Sequence, residues 1–122
     1  MKIVEELKNI LAEEENILFA YVFGSYAKGD FHNSSDIDIA LYLKEDSFDY
    51  YLEIVKKLQS LFDKEIDMVI LNRVKNLFLI EDIINNSVVL KDNEKRLEYE
   101  SYKWMEIVDF KEVDKRLENA SY

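Results

Sequence analysis

The chain of 122 residues contains no cysteine and no proline, only two glycines, one histidine and one tryptophan. Without cysteine there is neither a disulfide framework nor a Cys-type zinc site, a composition compatible with a reducing cytosol. No apolar run approaches the length of a membrane span. The first residues, MKIVEELKNILAEEEN, are amphipathic and acidic rather than continuously apolar, so no signal peptide is expected. A soluble, cytoplasmic protein follows as the expectation. With 48% hydrophobic residues, a chain of this length can bury a core, and a single domain over residues 1–122 is expected. Basic residues are also in short supply: 16 against 26 acids, a formal net charge of −10. Such a surface repels phosphate backbones and argues against direct nucleic-acid binding. A basic protein partner or a metal–nucleotide complex is better tolerated.

With so few chain breakers, their placement carries information. Both glycines, Gly24 and Gly29, fall in one short segment. Ile3, Val4, Leu7, Ile10 and Leu11 recur at helical spacing and predict a helix to about Glu15. Ile17–Phe23 is a short apolar run rich in β-branched and aromatic residues, the pattern of a buried strand that ends at Gly24-Ser25. Tyr26–Asn33 reads as a turn that opens with about one helical turn. Ser35–Leu43 alternates, with Ile37, Ile39, Leu41 and Leu43 on a core face and Asp36, Asp38, Ala40 and Tyr42 on the other. A helix capped by Asp46 or Ser47 is expected next, with Leu52, Val55, Leu58, Leu61 and Phe62 as its apolar stripe. Glu65–Leu71 is a third strand, with Asp67, Val69 and Leu71 on one face. Helical spacing covers Val74–Asn85, Val88–Leu90 suits an edge strand, and a charged helix spans about 93–118. The order predicts a small mixed α/β (α+β) fold, a sheet of three or four strands with flanking helices. The core extends to about Leu90.

The segment GSYAKGDFHNSSDID, residues 24–38, joins the first two strands. Asp36 and Asp38 are two apart on a strand, so their side chains leave the same face. Paired carboxylates repel, and a divalent cation removes the conflict. Mg²⁺ favours a few carboxylate oxygens with water and phosphate. If the third strand lies beside the second, Asp67 joins the pair, and three acids can hold two metal ions about 3.5–4 Å apart. Asp63 and Glu65 are the competitors for that third place. Gly24 lets a triphosphate approach the backbone, and Ser25 at the start of a short helix offers N–H groups and a hydroxyl. Lys28 could add a positive charge to the phosphates. Asp30, Ser34 and Ser35 can cap turns, and Ser35 can orient Asp36. His32 reads as a surface residue. Trp104, Tyr99, Tyr102, Met105 and Phe110 in the last helix are expected to pack on the core; the alternative is a partner-binding face.

Gly24-Ser25, Asp36-Ile37-Asp38 and the later strand residue Asp67 resemble the pattern of the DNA polymerase β nucleotidyltransferase superfamily. The text FGSYAKGDFHNSSDIDIALYL looks especially similar to the minimal nucleotidyltransferase (MNT) antitoxins, which pair with HEPN-domain RNase toxins. The similarity covers about Phe19 to Leu71. It implies that Asp36 and Asp38 bind two Mg²⁺ ions, that Asp67 binds the catalytic ion and helps deprotonate the acceptor, and that Gly24 and Ser25 hold the triphosphate. It further implies transfer of AMP from ATP to a tyrosine hydroxyl of the toxin, which blocks its RNase site. Two other functions fit the residues: an aminoglycoside-type small-molecule nucleotidyltransferase, and an antitoxin that acts by occlusion alone. Base preference, the number of AMP groups added and the oligomeric state are not written in the pattern.

Overall fold

The apolar run Ile17–Phe23 forms β1, one of the two central strands in a four-stranded sheet. The structure, a computed structural model, describes residues 2–32 and 35–120. Along the chain, α1 (Lys2–Ala12) precedes β1, and α2 (Ser25–Lys28) follows it. Next come β2 (Ile37–Leu43), α3 (Phe48–Phe62), β3 (Ile66–Ile70), α4 (Leu77–Asn86), β4 (Val88–Lys91) and α5 (Glu94–Ala120). The strand order is β3-β2-β1-β4. β1 is antiparallel to both β2 and β4, while β3 runs parallel to β2. The expected mixed sheet with flanking helices is therefore present, and β4 is an edge strand as its short length suggests. The parallel β2–β3 pair needs a crossover connection, and α3 supplies it. Among the described residues no helix is long and apolar enough to cross a membrane. The predicted turn position Ser34 lies outside the described residues.

Helices cover both faces of the sheet. Val4, Leu7 and Leu11 of α1 and Ile54 and Leu58 of α3 pack against Ile37, Ile39, Leu41 and Leu43 of β2. On the opposite face Phe19, Tyr21 and Phe23 of β1 pack with Ala40, Leu71, Ile83 and Tyr99. The alternation in β2 predicts one core face. Ala40 is fully buried as well, and Tyr42 packs beside it, because α4 and α5 cover the second face. In β1 the side-chain parity changes near its start: Ile17 faces one core, and both Leu18 and Phe19 face the other. The register irregularity between Ile17 and Phe19 accounts for this, since a bulge puts consecutive residues on one face.

The structure departs from the expected helix pattern at three places. α1 stops at Ala12 rather than near Glu15. The Glu14 carboxylate instead accepts hydrogen bonds from Tyr50 Oη (2.7 Å) and Lys57 Nζ (3.0 Å), and its carbonyl accepts one from Lys91 Nζ (2.8 Å). That pins α3 and β4 to the turn before β1. α3 begins at the Ser47 cap, whose hydroxyl accepts from Tyr50 N, while Asp46 binds Arg73 through both carboxylate oxygens. With Tyr50 held by Glu14, the helix turns Tyr50, Ile54 and Leu58 inward at i, i+4 and i+8. Leu52 and Leu61, expected in the stripe, are 38% and 58% exposed. α4 starts at Leu77, capped by Asn76, not at Val74.

Leu58 and Leu61 lie in one helix, so the same substitution separates burial from propensity. Leu58→Ala should cost about 2–5 kcal/mol in urea unfolding. Leu61→Ala should change stability by no more than about 0.5 kcal/mol.

Candidate active site

Asp38 and Asp67 meet because β2 and β3 run parallel in register. The Cα partners are Ile37 with Ile66, Asp38 with Asp67 and Ile39 with Met68. Both carboxylates leave the sheet on the face shared by Ala40 and Leu71. Asp38 lies within hydrogen-bonding reach of the Asp67 carboxyl. Burial, then the charge and hydrogen bond of Asp67, then the charge of Asp36, push the Asp38 carboxyl up to about 6. This is the electrostatic conflict that two adjacent carboxylates create: one holds a proton more tightly because both cannot easily ionise. Asp36, one residue before β2, is exposed and acts on Asp38 through its charge. Among the described residues no three acidic side chains are already gathered around one ion-sized point. Asp38 and Asp67 form the close pair, and Asp36 stands outside it.

The competition for the third acid resolves through position. Asp63 ends α3 in the left-handed conformation, with φ 50°, and Glu65 precedes β3, its carbonyl accepting from Ile37 N. Only Asp67 shares the register of Asp38.

Gly24 closes the site from the β1 side. Phe23 pairs with Asp38 across the antiparallel β1–β2 ladder, so the next residue passes directly over the carboxylate. A Cβ on Gly24 would collide with Asp38 Oδ2, well inside contact distance. Its φ of 68° also lies where side chains are disfavoured. Two independent requirements thus select glycine here. Gly24 O then accepts from Ala27 N and Lys28 N, both at 3.1 Å, which winds α2. Gly24 offers no capping side chain, so the first N–H groups of α2 have no intrahelical partner. Ser25 is half-buried at the start of α2, and Lys28 is exposed at its end.

In the loop beyond α2, Ser35 takes the first of its two expected roles. Ser35 Oγ accepts from His32 N (2.8 Å), and Ser35 N donates to His32 O (2.9 Å), so Ser35 closes the turn instead of orienting Asp36. His32 itself is exposed, as expected. Composition gave no prominence to the support beneath the Gly-Ser turn. Tyr26 is buried at 1% exposure, and its ring stacks on Phe31 at 4.6 Å, with Lys64 Nζ 6.0 Å from the Tyr26 centroid. The signal was there in two aromatics bracketing the Gly29 turn.

Chemically, the site offers paired carboxylates at a strand edge and an uncapped turn beside them. That combination suits a divalent cation and an anionic ligand.

A carboxyl titration by NMR should find Asp38 near 6. In Asp67→Asn it should fall yet stay above the usual range, because burial, the largest cause, remains. The raised pKa means Asp38 contributes stability that is present near pH 4 and lost as pH rises through 6. Wild type should therefore gain stability relative to Asp38→Asn on going from pH 7 to pH 4 without divalent cation. Gly24→Ala should destabilise far more than Gly29→Ala. Gly29 has positive φ, but nothing within 4 Å would meet its Cβ, so about 1 kcal/mol is expected there.

Residues 5–96 match the family model described as Polymerase beta, Nucleotidyltransferase. A Methanocaldococcus jannaschii protein, described provisionally as a protein adenylyltransferase, is 31% identical over 93 residues, spanning 68% of this chain and 93% of its own length. The protein adenylyltransferase MntA of Shewanella oneidensis is 39% identical over 70 residues, 56% of this chain and 48% of MntA. Among solved structures, a chain of a toxin–antitoxin crystallised with AMP-PNP superposes with a TM-score of 0.74 at 21% identity, covering 99% of this chain and 98% of that one. A chain from the complex of a tri-AMPylated Shewanella oneidensis HEPN toxin with its MNT antitoxin gives 0.68 at 18% identity, covering 97% of both. At those identities the solved structures show the shared fold. Together with the family match across most of its length, they establish that this chain belongs to the polymerase beta nucleotidyltransferase family.

Proposed function

We propose that this protein is an antitoxin adenylyltransferase that transfers AMP from ATP to a tyrosine hydroxyl of a HEPN-domain toxin, in the cytoplasm and with Mg²⁺. The observation that carries the reading is the Asp38–Asp67 pair, placed side by side by the β2–β3 register under a glycine turn. Its biological side draws on the relatives, which include a protein adenylyltransferase and an MNT antitoxin bound to an AMPylated HEPN toxin. ATP as the donor draws on the AMP-PNP complex of a structural neighbour. The exposure of Asp36 and Asp67 suits an acceptor carried on another macromolecule better than a small molecule enclosed in a pocket.

In this reading Asp36, Asp38 and Asp67 hold the divalent ions, a role that fits a donor set made only of carboxylate oxygens. When bound, the ions offset the carboxylate charge and the negative charge that develops on the α-phosphate. Gly24 lets the triphosphate approach the backbone, and the first N–H groups of α2 and the Ser25 hydroxyl bind its oxygens. Lys28 adds a cation at the other end of the turn. Asp67 accepts the proton of the tyrosine hydroxyl. The tyrosine oxygen bonds to the α-phosphorus as the bond to the β-phosphate bridge breaks, and pyrophosphate leaves in line. Residues 1–122 act as one unit, with α5 appended to a catalytic core that ends near Leu90.

Purified chain, Mg²⁺ and labelled ATP should label the HEPN partner on tyrosine. Asp36→Asn with Asp38→Asn should reduce labelling roughly a thousandfold or more, the scale of lost electrostatic stabilisation at a reacting phosphate. Labelling that survives this pair of substitutions in a folded protein would end the proposal. Mg²⁺ at about 100 times its Kd should add about 2.7 kcal/mol to stability at pH 7.5. That gain should shrink as pH falls through about 6, where Asp38 takes up a proton that competes with the ion.

A further inference from the structure

α5 is a 27-residue helix, about 40 Å long at 1.5 Å per residue. Its buried hydrophobic residues are Tyr99 and Ile107. Tyr99 packs on Phe19 and Tyr42, and Tyr21 Oη donates to Glu100 at 2.5 Å, which fastens the first half of the helix to the sheet. Beyond Ile107 every residue from Val108 to Leu117 is exposed. Phe110 against Phe78 and Lys111 with Glu81 tie this second half to α4. Of the residues expected to pack on the core, Tyr99 does so, while Trp104 and Phe110 are 45% and 41% exposed and Tyr102 and Met105 are both 64% exposed.

Exposed apolar residues occur on several sides of α5, Tyr102, Met105, Phe110, Val113 and Leu117 among them, but three others align. Leu97, Trp104 and Val108 stand at i, i+7 and i+11, one stripe along the helix. Ser101 lies within that stripe. Leu97, Ser101 and Trp104 line a cavity of about 310 Å³ together with Ile84 and Asn85 of α4 and Glu100. An apolar stripe beside a groove, here broken only by Ser101, is the form of a protein-binding surface, and a tryptophan within it is a typical anchor.

The charges beside the stripe select its occupant. Glu94, Glu98, Asp109 and Glu112 project from one flank and are exposed; Arg116 shares that flank and Lys95 pairs with Glu98, which leaves the flank net acidic. Two copies of this chain would each bring a net charge of −10 and the same acidic flank to the contact. Like-charge juxtaposition disfavours that pairing and favours a basic surface. An anionic membrane is disfavoured for the same reason.

We infer that the stripe Leu97–Trp104–Val108 and the α4–α5 groove form a docking surface for a protein partner whose apolar ridge is flanked by Lys or Arg. This rests on the proposed function, whose acceptor is a protein, and it adds where that protein is held. α5 carries none of Gly24, Asp36, Asp38 or Asp67. Docking on α5 thus raises the local concentration of the acceptor without contributing to nucleotide binding.

The test titrates a purified cognate HEPN-domain protein into this chain. Trp104→Ala with Val108→Ser, both at exposed positions, should weaken binding at least tenfold and raise the KM for the protein acceptor. Melting temperature and AMP-PNP binding should stay unchanged. Glu98→Lys with Glu112→Lys should weaken binding further at low salt than at high salt. The single tryptophan adds a readout that needs no variant, since docking should protect Trp104 from acrylamide once the partner's own signal is subtracted. Undiminished partner affinity in the Trp104/Val108 variant overturns the inference. So does a wild-type chain that dimerises through the stripe. A partner bound in an α5-dependent manner but never labelled would end the transferase reading and leave the docking surface standing.

Discussion

The repulsion between two carboxylates in register on adjacent strands is the constraint around which this molecule is arranged. Asp38 and Asp67 are held side by side by backbone ladders that neither side chain can alter. Burial and the neighbouring charge leave Asp38 with a proton affinity well above that of a free carboxyl. The strain is electrostatic and local, and it has a chemical remedy in a divalent cation. Gly24 belongs to the same constraint. The β1–β2 register carries the chain across Asp38, and any side chain at that point would displace the carboxylate. Three strands therefore converge on one carboxyl group, and the Gly-Ser turn is attached to the structure that holds the acids.

Keeping such a pair in place requires a rigid frame, and the rest of the fold provides one. The central strands are covered on both faces, so β2 cannot shift register without moving two hydrophobic layers. Side chains reinforce the strand ends opposite the carboxylates. Asn72 bonds both the N–H and the carbonyl of Leu43, extending the β2–β3 pairing beyond the last strand residue. Asn16 does the same for Glu45. Under the Gly-Ser turn, the Tyr26–Phe31 stack holds Phe31 against α2.

α5 divides at Ile107 between a structural half and an outward half. In the first half, Arg96 bridges Asp92 and Glu100, and Glu100 accepts from Tyr21, so polar contacts lock the helix where its apolar burial is thin. The second half has little of its own fold to cover it. If the acceptor is a protein, as proposed, an open cluster of acids alone would give little specificity, and the apolar stripe that runs from the first half of α5 to Val108 would add it.

Several features were legible in the residues themselves. The Gly24-Ser25 turn, Asp36 and Asp38 two apart, and a later strand acid are short-range facts of spacing, and local sterics and strand periodicity suffice to read them. So were the element order and the bounds of β1, and the helix cap was narrowed to Asp46 or Ser47. What the sequence left open depends on partners distant in the chain. It could name Asp67 only beside Asp63 and Glu65, because the choice is made by β3 lying parallel to β2 in one register. It ended α1 too late because the contacts of Glu14 lie at Tyr50, Lys57 and Lys91. It put Leu52 and Leu61 inside because a helical stripe has a width but no fixed rotation until a neighbour anchors it. It put Trp104 in the core because an aromatic on a helix reads alike whether its cover is the same chain or another. Sequence determines which chemistry is available and the local geometry that presents it; only tertiary structure decides which groups meet, since proximity across a sheet is a property of pairing and not of spacing.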